Sequence, residues 1–341
     1  MTFQGIVGVD MSKEHFDFCW MNCSLSIVQQ GRVVNEASCI ESFVEQVVQT
    51  WGLDQLQQVT LVVEHTGIYT QLLAKTWLSH GGRLAFVPAN KVSNLLGGKL
   101  KWAEKTDQLD AQRLAEYGIR YVDKLEFYQA PPSLMVQLRN LQRQRKRLMK
   151  VIGILQEPLK ESKTFDEPAI YQQLWDHQKD SIQALQKDLK NVEAQLAKLI
   201  KQDPYLHRLI KLITSVTGVG IVTAREIIIA TQAFERFTPQ QAKSFARYAG
   251  VVPLPHQSGK RARRPKTSKQ ANKKIRSLLS MCASSIIVSK DDMAQYYQRK
   301  IKEGKPQGLV LNNIKNKLIL RIFAVVRNQT MYQKNPNLYL T

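Results

Sequence analysis

Val59-Thr-Leu-Val-Val63 is a continuous, largely β-branched apolar run. Such a run does not alternate, so it fits a strand buried on both faces, and a strand of that kind needs a sheet covered on both sides. Similar short runs surround it. Gly5-Ile-Val-Gly-Val-Asp10 ends in an acid, and Leu84-Ala-Phe-Val87 is closed by Pro88. His15–Met21 and Leu25–Val34 alternate or run apolar around a polar break at Asn22–Ser24, which suggests an antiparallel meander with the first strand. Ile40, Phe43, Val44, Val47 and Val48 have helical spacing. Ile68–Leu78 reads as a second helix, ended by Gly81-Gly82. The order β-β-β-α-β-α-β describes a mixed sheet with helices packed on it.

Acids fall at informative places in this order. Asp10 ends the first strand and Glu64 the fourth. Asp107 and Asp110, three apart, follow Thr106, which can cap a helix and so place both carboxylates on one face of its first turn. Taken singly, these acids suit a strand-end turn, a helix start and a solvated first turn favoured by the helix dipole. Taken together, strand ends on one side of such a sheet converge on one crevice. Four carboxylates there could hold two Mg²⁺ ions about 4 Å apart, the arrangement used in phosphoryl transfer.

Past Pro131-Pro132 the composition changes. Leu134, Leu138, Leu141, Leu148, Ile152 and Leu155 fit a heptad seam, with Arg145 at one core position, and Leu185, Leu189, Val192, Leu196 and Leu199 repeat it. Residues 133–201 are therefore expected to form two long helices around a loop at Pro158–Pro168, as a coiled coil between copies or a plain helical hairpin. Arg143 and Arg147 lie in a stretch without acids from Phe127 to Gln156.

From Tyr205 a second globular unit is expected. Ser215-Val-Thr-Gly218-Val-Gly220-Ile-Val-Thr-Ala224 has the order of a helix-hairpin-helix element, whose glycines allow a tight turn facing a phosphate. Phe234–Gly250 reads as one or two helices, Ile275–Val288 and Asn312–Val326 as apolar helices, and the tail after Asn328 as loose. Residues 258–276 hold nine Lys or Arg and no acid, and read as a basic loop with Ser258 exposed beside Gly259.

The 341 residues carry 49 Lys and Arg against 28 Asp and Glu, a formal charge of +21. That balance attracts a polyanion, with nucleic acid the first candidate. A membrane is disfavoured because no apolar run approaches a spanning length. No signal peptide is expected from Met1-Thr-Phe-Gln-Gly5. Cys19, Cys23, Cys39 and Cys282 form no CxxC pair, so reduced thiols and a cytoplasmic setting are expected.

Six stretches carry a family resemblance. Gly8-Val-Asp10-Met-Ser-Lys13, Glu64-His-Thr-Gly-Ile-Tyr69 and Lys105-Thr-Asp107-Gln-Leu-Asp110-Ala-Gln-Arg-Leu-Ala115 resemble the DEDD transposases of the IS110 insertion-sequence family, which includes the Piv-type DNA invertases. Val216-Thr-Gly-Val-Gly220, Phe245-Ala-Arg-Tyr-Ala-Gly-Val-Val-Pro253 and Gln257-Ser258-Gly259 resemble its C-terminal transposase domain.

The resemblance implies an α/β plus α architecture. Residues 1–130 would form a RuvC-like domain of RNase H fold, 131–204 a coiled-coil linker, and 205–341 a mainly helical transposase domain with the helix-hairpin-helix-like element. It implies Asp10, Glu64, Asp107 and Asp110 as a metal-binding tetrad for Mg²⁺, two ions per site, with Mn²⁺ able to substitute. It implies Ser258 as a nucleophile forming a phosphoserine link to DNA. Lys260-Arg-Ala-Arg-Arg264 departs from the small polar residues common after that serine, which keeps Ser268 as a second candidate hydroxyl. Lys105, Arg143, Arg147, Lys260, Arg261, Arg263, Arg264, Lys266 and Lys269, with Gly218 and Gly220, are the expected nucleic-acid contacts. The implied partners are donor and target double-stranded DNA, a structured guide (bridge) RNA, and further copies of the chain as a dimer or tetramer in which one subunit's acids meet another's serine. The implied setting is a prokaryotic cytoplasm, at the nucleoid. A Mg²⁺-dependent junction nuclease and an invertase without RNA guide are the rival functions.

Overall fold

Strand β1 (Gly5–Met11) is the organising strand of a five-stranded sheet in the computed structural model, which describes residues 3–52, 56–64, 67–88, 91–92, 106–258, 261–268, 271–289 and 291–333. The chain divides into two compact units, Met1–Ala130 and Pro131–Thr341.

In the first unit β1 pairs antiparallel with β2 (His15–Asn22), which pairs antiparallel with β3 (Ile27–Val34). Helix α1 (Ala37–Trp51) leads to β4 (Val59–Glu64), parallel to β1. Helix α2 (Gln71–Ser79) leads to β5 (Arg83–Val87), parallel to β4. The order across the sheet is β3-β2-β1-β4-β5. Ile68 belongs to the turn before α2 rather than to the helix itself.

Strand alternation sends successive side chains to opposite faces. Val7, Val9, Phe16, Phe18, Trp20, Leu61 and Val63 face α1 and α2. There Phe43 stands 4.9 Å from Phe18 and 5.3 Å from Phe16, ring centre to ring centre. Ile6, Cys19, Met21, Val62, Ala85 and Val87 face the opposite way, against α3 (Asp107–Arg120) through Ala111, Leu114, Ala115 and Tyr117. The same parity sends Asp10, Asp17 and Glu64 to the α3 side.

Helix α3 lies unusually close to β1. A Cβ at Gly8 would overlap the Ala111 carbonyl oxygen and the Ala115 amide nitrogen, and one at Gly118 would press on Ile6 and Val62. Glycine on both elements thus lets backbone meet sheet, which fixes the height of the helix. The helix begins as expected, with Thr106 Oγ1 accepting from the Leu109 amide at 3.3 Å.

The second unit opens with two long helices, α4 (Ser133–Phe165) and α5 (Pro168–Gln202). The expected loop at Pro158–Pro168 is corrected to a two-residue turn, Asp166-Glu167. Pro158 lies inside α4, and the carbonyl it leaves unbonded belongs to Ile154, on the solvent side where water can satisfy it. Burial of Leu159 and Ser162 continues the helix beyond the proline. The pair is antiparallel: Arg145 Nε donates to Glu193 Oε1 at 2.8 Å, which explains an arginine on the seam.

The base of this hairpin, with Met135, Leu138, Val192, Leu196 and Ile200, joins the core of α6 (Pro204–Thr214), α7 (Ile221–Thr231), α8 (Ala242–Tyr248), α9 (Lys273–Ile287), α10 (Asp292–Lys302) and α11 (Gln307–Asn328). Helix α11 is central, with Ile314, Leu318, Ile319, Ile322, Phe323, Val325 and Val326 all buried. The expected helix or pair of helices over Phe234–Gly250 shrinks to α8: Phe234 is left-handed at φ 70°, and residues 235–241 form turns and bends in which the Thr238 amide donates to Gln241 Oε1 at 3.0 Å.

Helix α10 was not among the expected elements. The expected basic loop is instead an antiparallel ribbon of β6 (Leu254–Ser258) and β7 (Arg261–Lys266). The tail as far as residue 333 is anchored: the Tyr332 amide donates to Ser215 Oγ at 2.8 Å, and Arg321 donates to the Tyr332 hydroxyl at 2.6 Å. No helix among the described residues is long and apolar enough to cross a membrane.

Gly8→Ala should cost at least about 3 kcal/mol, because backbone and not a side-chain tip must yield. Gly153→Ala, in α4 with open space around it, should gain about 0.5–1 kcal/mol. Urea unfolding of the two full-length variants checks both signs.

Candidate metal centre

The strand ends and the first turn of α3 bring the four expected acids into one electrostatic environment. Asp10 and Glu64 are half-buried at the ends of β1 and β4, while Asp107 and Asp110 occupy the first turn of α3. Burial pushes the Asp10 carboxyl up to about 6. The charges of Asp110, Asp107, Glu64 and Asp17 push it the same way. A carboxyl so shifted marks negative charge that the protein's own groups leave uncompensated. Four carboxylates here would offer a hard, all-oxygen donor set suited to a divalent cation such as Mg²⁺, while the three donor atoms already drawn together among the described residues are those of His15, Asp17 and Asp107. Asp110 is restrained by Arg113, whose Nη1 donates to Oδ1 at 2.7 Å.

Three neighbours went unnoticed in the sequence. Asp17 pairs directly across from Asp10 on β2 and is 4 % exposed. Ligand atoms of His15, Asp17 and Asp107 lie within 4.8 Å of one another. Arg32 of β3 stands opposite Asp17 and bridges it. The only sequence signal was a lone acid in the apolar run Phe16-Asp-Phe-Cys-Trp-Met21; that it shares a face with Asp10 follows from the register of β2 on β1.

The basic residues divide. Arg143 and Arg147 are exposed four apart on α4, on one side of the helix. Arg261, Arg263, Arg264 and Lys266 lie along β7, and the register sets Ser258 opposite Arg261 and His256 opposite Arg263. Lys105, Lys260 and Lys269, with Gly259, lie outside the described residues.

The turn between α6 and α7 is largely occupied from within. Gly218, at φ 80°, is backed by Ile286 of α9, a packing role that a side chain could not share. Gly220 caps α7 with open space beside it. Its amide is directed at the Cys282 thiol, which burial pushes up and the Thr223 and Gly220 hydrogen bonds pull back.

Known proteins resemble the whole chain in order. A family model for the DEDD transposases of IS110, described as a transposase, matches residues 7–160, and one described as a transposase of the IS116/IS110/IS902 family matches residues 210–298. The pilin gene-inverting protein of Moraxella bovis is 25% identical over 337 residues, covering 96% of this chain and 97% of its own length. That of Moraxella lacunata matches equally, at 25% over 337 residues. A probable family 20 transposase of Pseudomonas aeruginosa is 24% identical over 169 residues, 49% of this chain and 48% of its own.

The raised Asp10 carboxyl has a sign that can be checked. Its folded value, about 6, exceeds its ordinary 3.8, so the folded chain binds the extra proton between those values. Stability of the metal-free protein should therefore fall as pH rises from about 4 through 6, and stay lower above that. Asp10→Asn in EDTA at pH 7.5 should be more stable than the wild type by about 1 kcal/mol after allowance for solvent screening. The gain should shrink toward pH 4, as followed by thermal melts.

Proposed function

The chain belongs to the IS110 family of transposases, and we propose that it is a DNA recombinase that cuts and rejoins strands through a phosphoserine intermediate on Ser258. The observation that carries this reading is that Asp107 and Asp110 on α3 and Glu64 on β4 all act on the charge of Asp10 at the end of β1. The strand order β3-β2-β1-β4-β5, with α3 across its centre, supports reading residues 1–130 as a RuvC-like domain of RNase H fold. In this reading 131–204 is the coiled-coil segment joining protomers, and 205–341 the transposase domain that carries the serine.

Asp10, Glu64, Asp107 and Asp110 would hold two Mg²⁺ ions, or Mn²⁺ in their place. Bound there, the ions would supply charge stabilisation to the scissile phosphate and the departing oxygen. The serine oxygen bonds to phosphorus as the bond from phosphorus to one deoxyribose oxygen breaks. The serine proton passes, in sum, to that released sugar hydroxyl. Rejoining reverses the exchange with the hydroxyl of the new strand, so the phosphodiester energy is kept and no external energy source is consumed. Arg261, Arg263 and Arg264 offset charge that accumulates on the phosphorus oxygens. Lys105, Arg143, Arg147, Lys260, Lys266 and Lys269 neutralise backbone phosphates, while Gly218 and Gly220 shape the α6–α7 turn.

The formal charge of +21 supports a nucleic-acid partner, and the proposed partners are donor DNA, target DNA and a structured guide RNA. The proposed assembly is a dimer that doubles on synapsis, in the cytoplasm of a prokaryotic cell. Site-specific inversion is a second reading. It is favoured by the two pilin gene-inverting relatives, which this chain matches over 97% of their length. Inversion uses the same residues and differs in the layout of the DNA.

Ser258→Ala should abolish strand exchange on a two-site plasmid while DNA binding by gel shift persists. Asp10→Ala and Asp107→Ala should lower exchange at least about 10³-fold. A protein–DNA adduct trapped on Ser258 separates the recombinase from a hydrolytic nuclease, which forms none. Wild-type exchange by the serine variant would transfer the role to another hydroxyl, Ser268 first.

A further inference from the structure

Asp107 is the most exposed of the carboxylates assigned to the metal, with 59 % of its side chain open to solvent. It stands in the first turn of a helix, where its rotamer is not set by packing. A carboxylate free to swing is a poor metal ligand, because its ordering must be met when the ion binds. The structure supplies a restraint from the neighbouring strands.

Arg32 and Asp17 face each other across β3 and β2. Arg32 Nε donates to Asp17 Oδ1 at 3.2 Å and Nη2 to Oδ2 at 3.0 Å, so both oxygens of the buried acid are engaged by one guanidinium. That fork is rigid in a way a lysine could not match. Its outer nitrogen, Nη2, lies 3.8 Å from Asp107 Oδ2. The following residue of α3 is tied to the same strand, with Gln108 Nε2 donating to the Phe18 carbonyl at 2.9 Å. Asp110, one turn on, already has its own restraint in Arg113.

We propose that Arg32, clamped by Asp17, is a positioning residue that presets the Asp107 carboxylate for the metal. The role rests on the reading of Asp10, Glu64, Asp107 and Asp110 as the metal-binding set. Asp17 serves as the anchor of the clamp rather than as a fifth ligand, since one guanidinium engages both of its oxygens and offsets its charge, whereas Arg113 engages only one oxygen of Asp110. The chain Asp17–Arg32–Asp107 links β2, β3 and α3, so the edge strand of the sheet takes part in the site.

Mn²⁺ binding to the full-length protein, followed by the electron paramagnetic resonance signal of the free ion, tests this without relying on catalysis. Arg32→Gln and Asp17→Asn should each weaken binding about tenfold, the usual scale for a group that orients a ligand. The double variant should bind no more weakly than either single, because both act through one contact. Arg32→Gln leaves the buried Asp17 without its cation and should lower the melting temperature, so binding is read well below both transitions. Arg32→Lys, which keeps the charge but cannot form the fork, should also weaken binding and stands alone should the other variants fail to fold. Wild-type or tighter Mn²⁺ binding by Arg32→Gln, or losses that add in the double variant, would overturn the positioning role. Wild-type binding by Asp10→Asn and Asp107→Asn would instead overturn the metal-binding set itself.

Discussion

The approach of α3 to β1 at Gly8 governs the first unit. Where most helices rest on a sheet through side chains, this one is seated backbone to backbone, with Ala111 and Ala115 above the glycine and Gly118 above Ile6 and Val62. The stripe 111–115–118 has helical spacing and no side chain larger than a methyl group, so the helix axis has little room to slide or tilt. The first turn of that helix carries Asp107 and Asp110, and the strand beneath it ends in Asp10. The proximity of these acids, unfavourable in itself, is held by apolar packing on the same face, through Ile6 in β1 and Val62 in β4. Folding energy from the core is in effect stored as electrostatic repulsion at the rim, where a cation would release it.

Much of this unit was legible because its signals are local. The runs 5–10, 59–63 and 84–87 are apolar without alternation, which a strand covered on both faces requires. Acids at their ends stand out for the same reason. Thr106 before Asp107 announces a helix start through one hydroxyl, and the structure makes that bond. Asp17 was not legible as part of the site, since its relation to Asp10 exists only once β2 is paired in register with β1. Arg32 is a further strand away and depends on a second register.

The second unit shows where local signals mislead. Pro158 reads as a break, yet burial on both sides of it outweighs one lost hydrogen bond on the wet face of the helix. The ribbon of β6 and β7 has no apolar alternation to reveal it, because its pairing rests on backbone hydrogen bonds between polar segments. The three left-handed residues after α7 obey no propensity: Gln232, Ala233 and Phe234 are held there by tertiary context, with Phe234 and Phe245 both packed against Phe323 at 5.0 and 5.2 Å. The tail gave no sign of its anchor. Tyr332 is fixed by Arg321, which also bridges Asp291 at 3.4 Å and pairs with Asp292 at the start of α10.

The uninterrupted run of α4 through Pro158 has a consequence of scale. From Leu138, set in the core of the second unit, to Phe165 at the turn, continuous helix at about 1.5 Å per residue makes a strut of about 40 Å. Phe165, 84 % exposed at its far end, therefore stands at a set distance from that core, roughly the length of a dozen base pairs. A hinge at the proline would have made that separation adjustable, whereas an unbroken rod makes it a gauge.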